Sequence, residues 1–306
     1  MSIKRRIMLK GTLAAGAFGL AAASGLLSPR TVLAAWSKDA FNATTADAAL
    51  KDLLGSDTLE DSGKIRIKAP DIAENGAVVP VSVTAELDAV VLTHGHLDHV
   101  GRTPRLLDAG FQGPIFTHAA SAQLAEIVWR DSVRLSVYDG EPLYDEEGVA
   151  RTVQRFQPLR YGQEAEVGGV KIRFSDAGHI LGSACIHLEM EEQARRRSVL
   201  FSGDLGNAER PFLRSPATPP KVDVVVMETT YGDRLHKALA PSISELYEAI
   251  SDTFQRGGNV VIPTFALERT QEILYYLREG AEAGLIPPTA HVFLDSPMAI
   301  SATEIF

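Results

Sequence analysis

The sequence contains a single cysteine, Cys185, in 306 residues. One thiol cannot close a disulfide within the chain, nor can it build a thiolate-rich zinc cluster, so any metal must be held by histidine and carboxylate. An excess of basic charge is also lacking. Thirty Lys and Arg stand against 39 Asp and Glu, a formal net charge of −9. A global electrostatic footprint for nucleic acid is thereby excluded, and contact with a polyanion must come from a local patch. Past residue 35 there is no run long and apolar enough to span a bilayer, no internal repeat and no low-complexity tract. What remains is globular composition, 45% hydrophobic and 23% charged, with room for one large domain or two smaller ones.

The first residues stand apart. "MSIKRRIMLKGTLAAGAFGLAAASGLLSPRTVLAAW" places Lys4, Arg5 and Arg6 before a small, apolar stretch from Gly11 to Leu27, and Val32-Leu33-Ala34 offers small residues for cleavage. Arg5 to Lys10 is similar to the twin-arginine export motif, with Met8 where phenylalanine is usual. The pattern predicts a removable leader over residues 1–35, and no stable membrane anchor once it is cleaved.

Residues 40–83 read as a short helix followed by two strands. Ala48, Leu50, Leu53 and Leu54 form a helical stripe, and Lys64 to Lys68 alternates with period two, as a half-buried strand does. Pro70 stops that strand, Glu74-Asn75-Gly76 makes a turn, and Ala77 to Val83 resumes extended structure. Through "KIRIKAPDIAENGAVVPVSV" this stretch resembles SoxY, the thiosulfate-oxidation carrier family. The likeness covers the leader and about the first half of that family's β-sandwich. The resemblance implies Sox complex partners, but that family's carrier cysteine lies in a Gly-Gly-Cys-Gly-Gly arm that has no counterpart here.

After Leu87 strands alternate with helices. Strands are predicted over 90–93, 114–117, 170–175, 198–202, 222–227, 259–264 and 292–294, and helices over 121–136, 242–255 and 267–280. Ser242 to Glu245 has the form of a capping box, with Gly257-Gly258 closing the same helix. The alternation implies a layered α/β architecture.

"THGHLDHVG" carries the chemistry. His94 and His96 have the i, i+2 spacing with which a tight loop sets two imidazoles around one ion, while Asp98 and His99, at a helix start, can face a second ion. Two ions roughly 3.5 Å apart suit phosphoryl displacement. Distant segments offer further ligands: His179 in "FSDAGHILGSACIHLEM", between two strands, and Asp204 in "SVLFSGDLG", just past a strand, where a carboxylate can bridge. Such groups are costly to concentrate behind a buried strand without a purpose. His118, His187, His236 and His291 stay unassigned, and Cys185 reads as a small buried hydrophobe.

With "DAGHILGSA", "FSGDLG", "METTYGDRLH" and "IPTFALERTQEIL" added, the chain from about residue 86 resembles the β-CASP nucleic-acid hydrolases of the metallo-β-lactamase superfamily. The resemblance implies a metallo-β-lactamase αββα sandwich, incomplete at its N-terminal strands, with part of a β-CASP cap domain and a partial SoxY-like β segment in front. Its domains are then a leader (1–35), a SoxY-like fragment (36–85), a metallo-β-lactamase core (86–232) and a partial β-CASP domain (233–306). It implies zinc, with His94, His96 and His179 on one ion, Asp98 and His99 on a second, and Asp204 bridging. By the same resemblance the catalytic residues would be Asp98, Asp204 and Glu228, and the implied reaction is hydrolysis of RNA phosphodiesters through a metal-bridging hydroxide. Glu228 matches the family's first cap-domain motif, an acid that supports a histidine near the leaving group. Arg102, Arg105, Arg160, Arg234 and Lys237 are candidate contacts to an RNA backbone. The family's later histidines would fall beyond Phe306, so impaired hydrolysis and a weak or vacant second zinc site are expected. The leader implies the periplasm, whereas the hydrolase family implies the cytoplasm.

Overall fold

The computed structural model describes residues 42–54, 63–70, 82–140, 142–192, 195–208, 210–235 and 237–306. The predicted leader, the turn at 74–76 and His236 lie outside the described residues. The chain divides into two compact units, Met1–Ala85 and Glu86–Phe306.

In the first unit, helix α1 (Ala46–Leu54) precedes an antiparallel pair of strands, β1 (Ile65–Lys68) and β2 (Ser82–Ala85), with Ile65 opposite Ala85 and Lys68 opposite Ser82. The expectation of a half-buried β1 does not hold. Ile65 and Ile67 are 54% and 70% exposed, since among the described residues no second layer covers a face of this two-stranded ribbon.

The second unit is built on two sheets. Strands β3 (Val90–Val91), β4 (Ile115–Thr117) and β5 (Phe156–Pro158) are parallel, in that order. The bond from the Leu92 amide to the Phe116 carbonyl, 2.9 Å, carries the first pairing one residue further. The connections hold helices, as parallel strands require: α2 (Leu97–Val100), α3 (Pro104–Asp108), the 21-residue α4 (Ala119–Asp139) and α5 (Glu146–Val153). The larger sheet runs β10-β9-β8-β7-β6, with β6 (Glu164–Val167), β7 (Val170–Asp176), β8 (Ala184–Glu192) and β9 (Arg195–Phe201) as an antiparallel meander and β10 (Val224–Val226) parallel to β9.

Alternation along β7 and β8 sends Ile172, Phe174, Ala184 and Ile186 to one face, where they pack on Phe116 and Leu159 of the smaller sheet's side. On the other side of that sheet, Leu124, Ala125, Val128 and Trp129 of α4 cover Leu92, Ile115 and Val149. The opposite face of the larger sheet holds a third cluster, Ala177, Cys185 and Leu200. Helix, sheet and sheet thus stack as a mixed α/β sandwich, the layering that the sequence resemblance implies. Cys185 is buried, as a small hydrophobe.

Beyond β10 lie α6 (Leu239–Gln255), α7 (Arg269–Glu282) and α8 (Pro297–Thr303). The Tyr247 hydroxyl donates to the Tyr276 carbonyl at 2.8 Å, joining α6 to α7, and Leu267 and Ala302 reach the core beneath α4. Two sequence expectations fail here. Residues 259–264 and 292–294 form no strand, and Val261 and Phe293 are 88% and 87% exposed. Apolar extended runs become strands only against a neighbour, and none pairs with them among the described residues. Nor does Ser242 cap its helix. Pro241 sits in the first turn, where no N–H is needed, the helix starts at Leu239, and the Ser242 hydroxyl donates back to the Ala238 carbonyl. Among the described residues no helix is long and apolar enough to cross a membrane.

Candidate metal centre

Chain geometry at the strand ends builds this site. β3 stops at Val91 and the chain turns sharply through Thr93, His94 and Gly95 into α2, a single turn that carries Asp98 and His99. A one-turn helix cannot hold itself. It is pinned by Trp129, fully buried, whose indole N–H donates to the Val100 carbonyl at 2.8 Å. The Thr93 carbonyl accepts the Ala184 amide at 2.8 Å, stitching the start of the loop to β8.

His179 lies in the β7–β8 connection. Ser183 Oγ accepts the amides of His179 (3.0 Å) and Ile180 (3.2 Å), Asp176 accepts that of Gly178 (2.9 Å), and the Gly182 carbonyl accepts the Ser121 hydroxyl (2.7 Å). Asp204 follows β9 through Gly203. Its loop lies so close to the His179 loop that a Cβ on Gly206 would meet the Gly178 carbonyl oxygen at 1.5 Å. Glycine is required there by contact alone.

These three segments converge. His94 Nε2 lies 3.2 Å from His96 Nδ1, and His179 Nε2 lies 3.1 Å from the same atom. Asp204 Oδ2 stands 3.8 Å from His94 Nε2 and 3.6 Å from His179 Nε2. The other oxygen, Oδ1, is 3.2 Å from His99 Nε2, which is also 3.3 Å from Asp98 Oδ2. Two groups result, His94-His96-His179-Asp204 and Asp98-His99-Asp204, each with donor atoms within 4.8 Å of one another. Asp204 turns one oxygen to each.

The donor set fits zinc. Tetrahedral bonds of about 2.0–2.1 Å place ligand atoms about 3.3 Å apart, and the first group's separations of 3.1 to 3.8 Å bracket that edge. His94 is fully buried, and its Nδ1 lies 3.1 Å from Thr93 Oγ1, which orients the ring. Burial, reinforced by the neighbouring His99, His96 and His179 rings, pushes the His94 imidazole down to about 2. Burial and His179 push His96 down to about 4, against the pull of Asp98, and burial lowers His179 as well, opposed by Asp204 and Glu228. All three rings are therefore neutral at pH 7, the form in which imidazole ligates.

The remaining sequence candidates sit elsewhere. Glu228 belongs to neither group. Its Oε1 accepts the Leu205 amide at 2.6 Å, and its own amide donates to Ser202 Oγ at 3.2 Å, so it braces the backbone beside Asp204. Arg105 donates to the Leu143 carbonyl, Arg234 lies over the Tyr231 ring, and Lys237 pairs with Glu245. Arg102 and Arg160 are exposed. Among the unassigned histidines, His118 caps α4 and stacks on Tyr161, and His187 contacts Arg173. Sequence reasoning passed over Thr93, Ser183, Trp129 and Glu268. Thr93, Ser183 and Glu268 lie inside the quoted motifs, so nearness to the ligands could have found the first two; the roles of Trp129 and Glu268 rest on tertiary contacts.

Comparison with known proteins bears on this geometry. A family model described as a beta-lactamase superfamily domain matches residues 59–257. The match begins ahead of β1, so it takes in both strands of the first unit. The chain is 44% identical over 214 residues to Ribonuclease TTHA0252 of Thermus thermophilus, which covers 70% of this chain and 47% of that protein. It is 35% identical over 226 residues to the transcription termination factor FttA of Methanosarcina mazei (72% and 35% covered) and 35% over 242 residues to an RNase J-like protein of Methanocaldococcus jannaschii (78% and 53%). The chain thus spans about half or less of the length of these relatives. On a family match that covers more than half of its residues and a fold that agrees with it, the chain belongs to the beta-lactamase superfamily, in its metallo-β-lactamase fold.

Proposed function

We propose that this chain is the metal-binding core of a β-CASP-type ribonuclease that hydrolyses RNA phosphodiester bonds with zinc as cofactor. The observation that carries the reading is Asp204, whose two oxygens face two separate ligand groups, in a chain similar to proteins named as ribonucleases. The fold alone fixes no substrate.

His94, His96, His179 and Asp204 would hold the first ion, and Asp98, His99 and Asp204 the second. Bound zinc supplies Lewis acidity, bringing the ionisation of water toward neutral pH and neutralising charge on phosphoryl oxygens. The chain's own groups do the rest. Three neutral imidazoles keep their lone pairs available at pH 7. Glu228 fixes the Leu205 amide and with it the direction of the Asp204 carboxylate. Asp98, 77% exposed at its side chain, faces the open side, where a substrate phosphate arrives. Arg102, three residues past His99 and exposed, is the candidate for holding that phosphate. The first group is richer in donors and more deeply buried than the second, so it takes zinc more tightly.

Cleavage of a labelled RNA by the purified protein, set beside His94→Ala, tests the reading. Loss of cleavage in the variant is expected; equal activity in both proteins refutes the zinc mechanism. Export is a separate proposal resting on residues 1–35 of the sequence, and cell fractionation with an antibody to the folded part decides it: protein confined to the cytoplasm, at full length, refutes export.

A further inference from the structure

The geometry points to Glu268 as a positioning residue: a strained turn ahead of α7 holds its carboxylate on the loop that carries His179. The inference rests on the metal-centre reading for its consequence but not for its contacts.

Glu268 has φ 66° and ψ −60°, and the Arg269 amide donates across it to the Leu267 carbonyl at 2.9 Å. This is a γ-turn with positive φ at its centre, the rarer and more strained of the two hands. Only Phe212 shares a positive φ among the described non-glycine residues. The turn is braced from every side. Thr270 donates through both its amide and its hydroxyl to the Phe265 carbonyl, Gln271 Nε2 donates to the Ala266 carbonyl, and the Glu272 amide donates to Glu268's own carbonyl. A residue stays in such a conformation only where its surroundings over-determine it, and these positions concentrate at functional sites.

The side chain is as unusual as the backbone. Glu268 is 8% exposed, yet no ion pair to it forms among the described residues; Arg210 and Arg269, whose charges reach it, both pair with Glu272. Its Oε2 accepts the Leu181 amide at 3.1 Å, while Oε1 is buried and has no hydrogen-bond partner among the described residues. Burial pushes its carboxyl up to about 7. A strained turn and a buried acid are both costly, and what they jointly achieve is one bond to residue 181, two past His179. Within that connection the Ser183 hydroxyl holds the amides of residues 179 and 180. Glu268 is the hold on the next amide, and it comes from a segment 87 residues away.

The test compares the full chain with Glu268→Gly and Glu268→Gln. Glycine relieves the positive φ but removes the acceptor; glutamine keeps an acceptor oxygen. Hydrogen–deuterium exchange on the metal-free proteins reads the loop directly, and Co2+ titration followed by visible absorption reads the first ligand group. In Glu268→Gly the peptide containing residues 178–183 should exchange about tenfold faster, with α7 unchanged, and Co2+ should bind about tenfold more weakly, as loss of an outer partner does. Glu268→Gln should restore both to within about threefold. Unchanged loop exchange in Glu268→Gly overturns the inference, whether or not Co2+ binds. A wild-type chain that takes no Co2+ while the glycine variant's loop still opens sinks the metal reading and leaves the positioning role standing.

Discussion

Replacing Trp129 with phenylalanine isolates what fixes α2. The indole N–H bond to the Val100 carbonyl is the contact to be removed, at a residue with no exposed surface. That carbonyl also accepts the Thr103 amide at 2.9 Å, so it is not orphaned. The loss is therefore one net hydrogen bond, about 0.5–1.5 kcal/mol, rather than a stranded acceptor. Shrinking indole to phenyl leaves roughly 40 Å³, worth about 1 kcal/mol if the site does not collapse. Stacking on Phe156, with centroids 5.5 Å apart and planes 9° apart, survives in the phenyl ring. The sum is about 1.5–2.5 kcal/mol of unfolding free energy, to be read by urea denaturation of the metal-free protein with far-ultraviolet circular dichroism. Because Asp98 and His99 ride on α2, occupancy of the second ligand group should fall more than that of the first. A variant within about 0.5 kcal/mol of wild type would refute the claim that the indole bond secures this turn.

Zinc counted by atomic emission after dialysis should give about one tightly held ion per chain, since the first group has four donors and the second three; two tightly held ions would contradict this. Asp204→Asn should weaken both groups at once, because the bridging charge is lost and one oxygen becomes an NH2 that cannot ligate; a variant in which only one group's affinity changes disproves the shared role. Gly206→Ala forces a methyl onto the Gly178 carbonyl and should cost at least about 2 kcal/mol, together with zinc; a variant that folds and binds normally rules out the close approach. Glu268 gives the pH prediction. A folded carboxyl raised from 4.5 to about 7 holds its proton across that window while the unfolded chain does not, so stability falls as pH rises through it. Glu268→Gln should therefore gain on wild type by roughly 1–3 kcal/mol between pH 5 and pH 8 in urea denaturation, and a constant difference would refute the burial argument.

Ligand chemistry was legible in the sequence because it is locally dense. His94, His96, Asp98 and His99 fall within six positions, and a histidine and an aspartate after later strands complete two groups that the fold draws together. The α/β layering was legible from the same alternation. Elements that depend on a neighbour were not. The run at 259–264 carries Val260, Val261 and Ile262 in sequence, but β4 lies between β3 and β5 while that run pairs with nothing described. Ser242 had the letters of a cap, yet Pro241 permits an earlier start. Glu268 lies within a quoted motif, but its meaning rests on a backbone angle and on an amide 87 residues distant, and neither is a property of local composition.

The seam between the two sheets has a mechanical consequence. His94 and His96 issue from the smaller sheet, His179 and Asp204 from the larger, so a single captured cation would rivet one to the other across more than a hundred residues of chain. Across these residues, with Cys185 as the single thiol and no covalent staple to make, that rivet is the available substitute. Resistance to proteases and heat should then track free zinc concentration, rising logarithmically once it exceeds the dissociation constant.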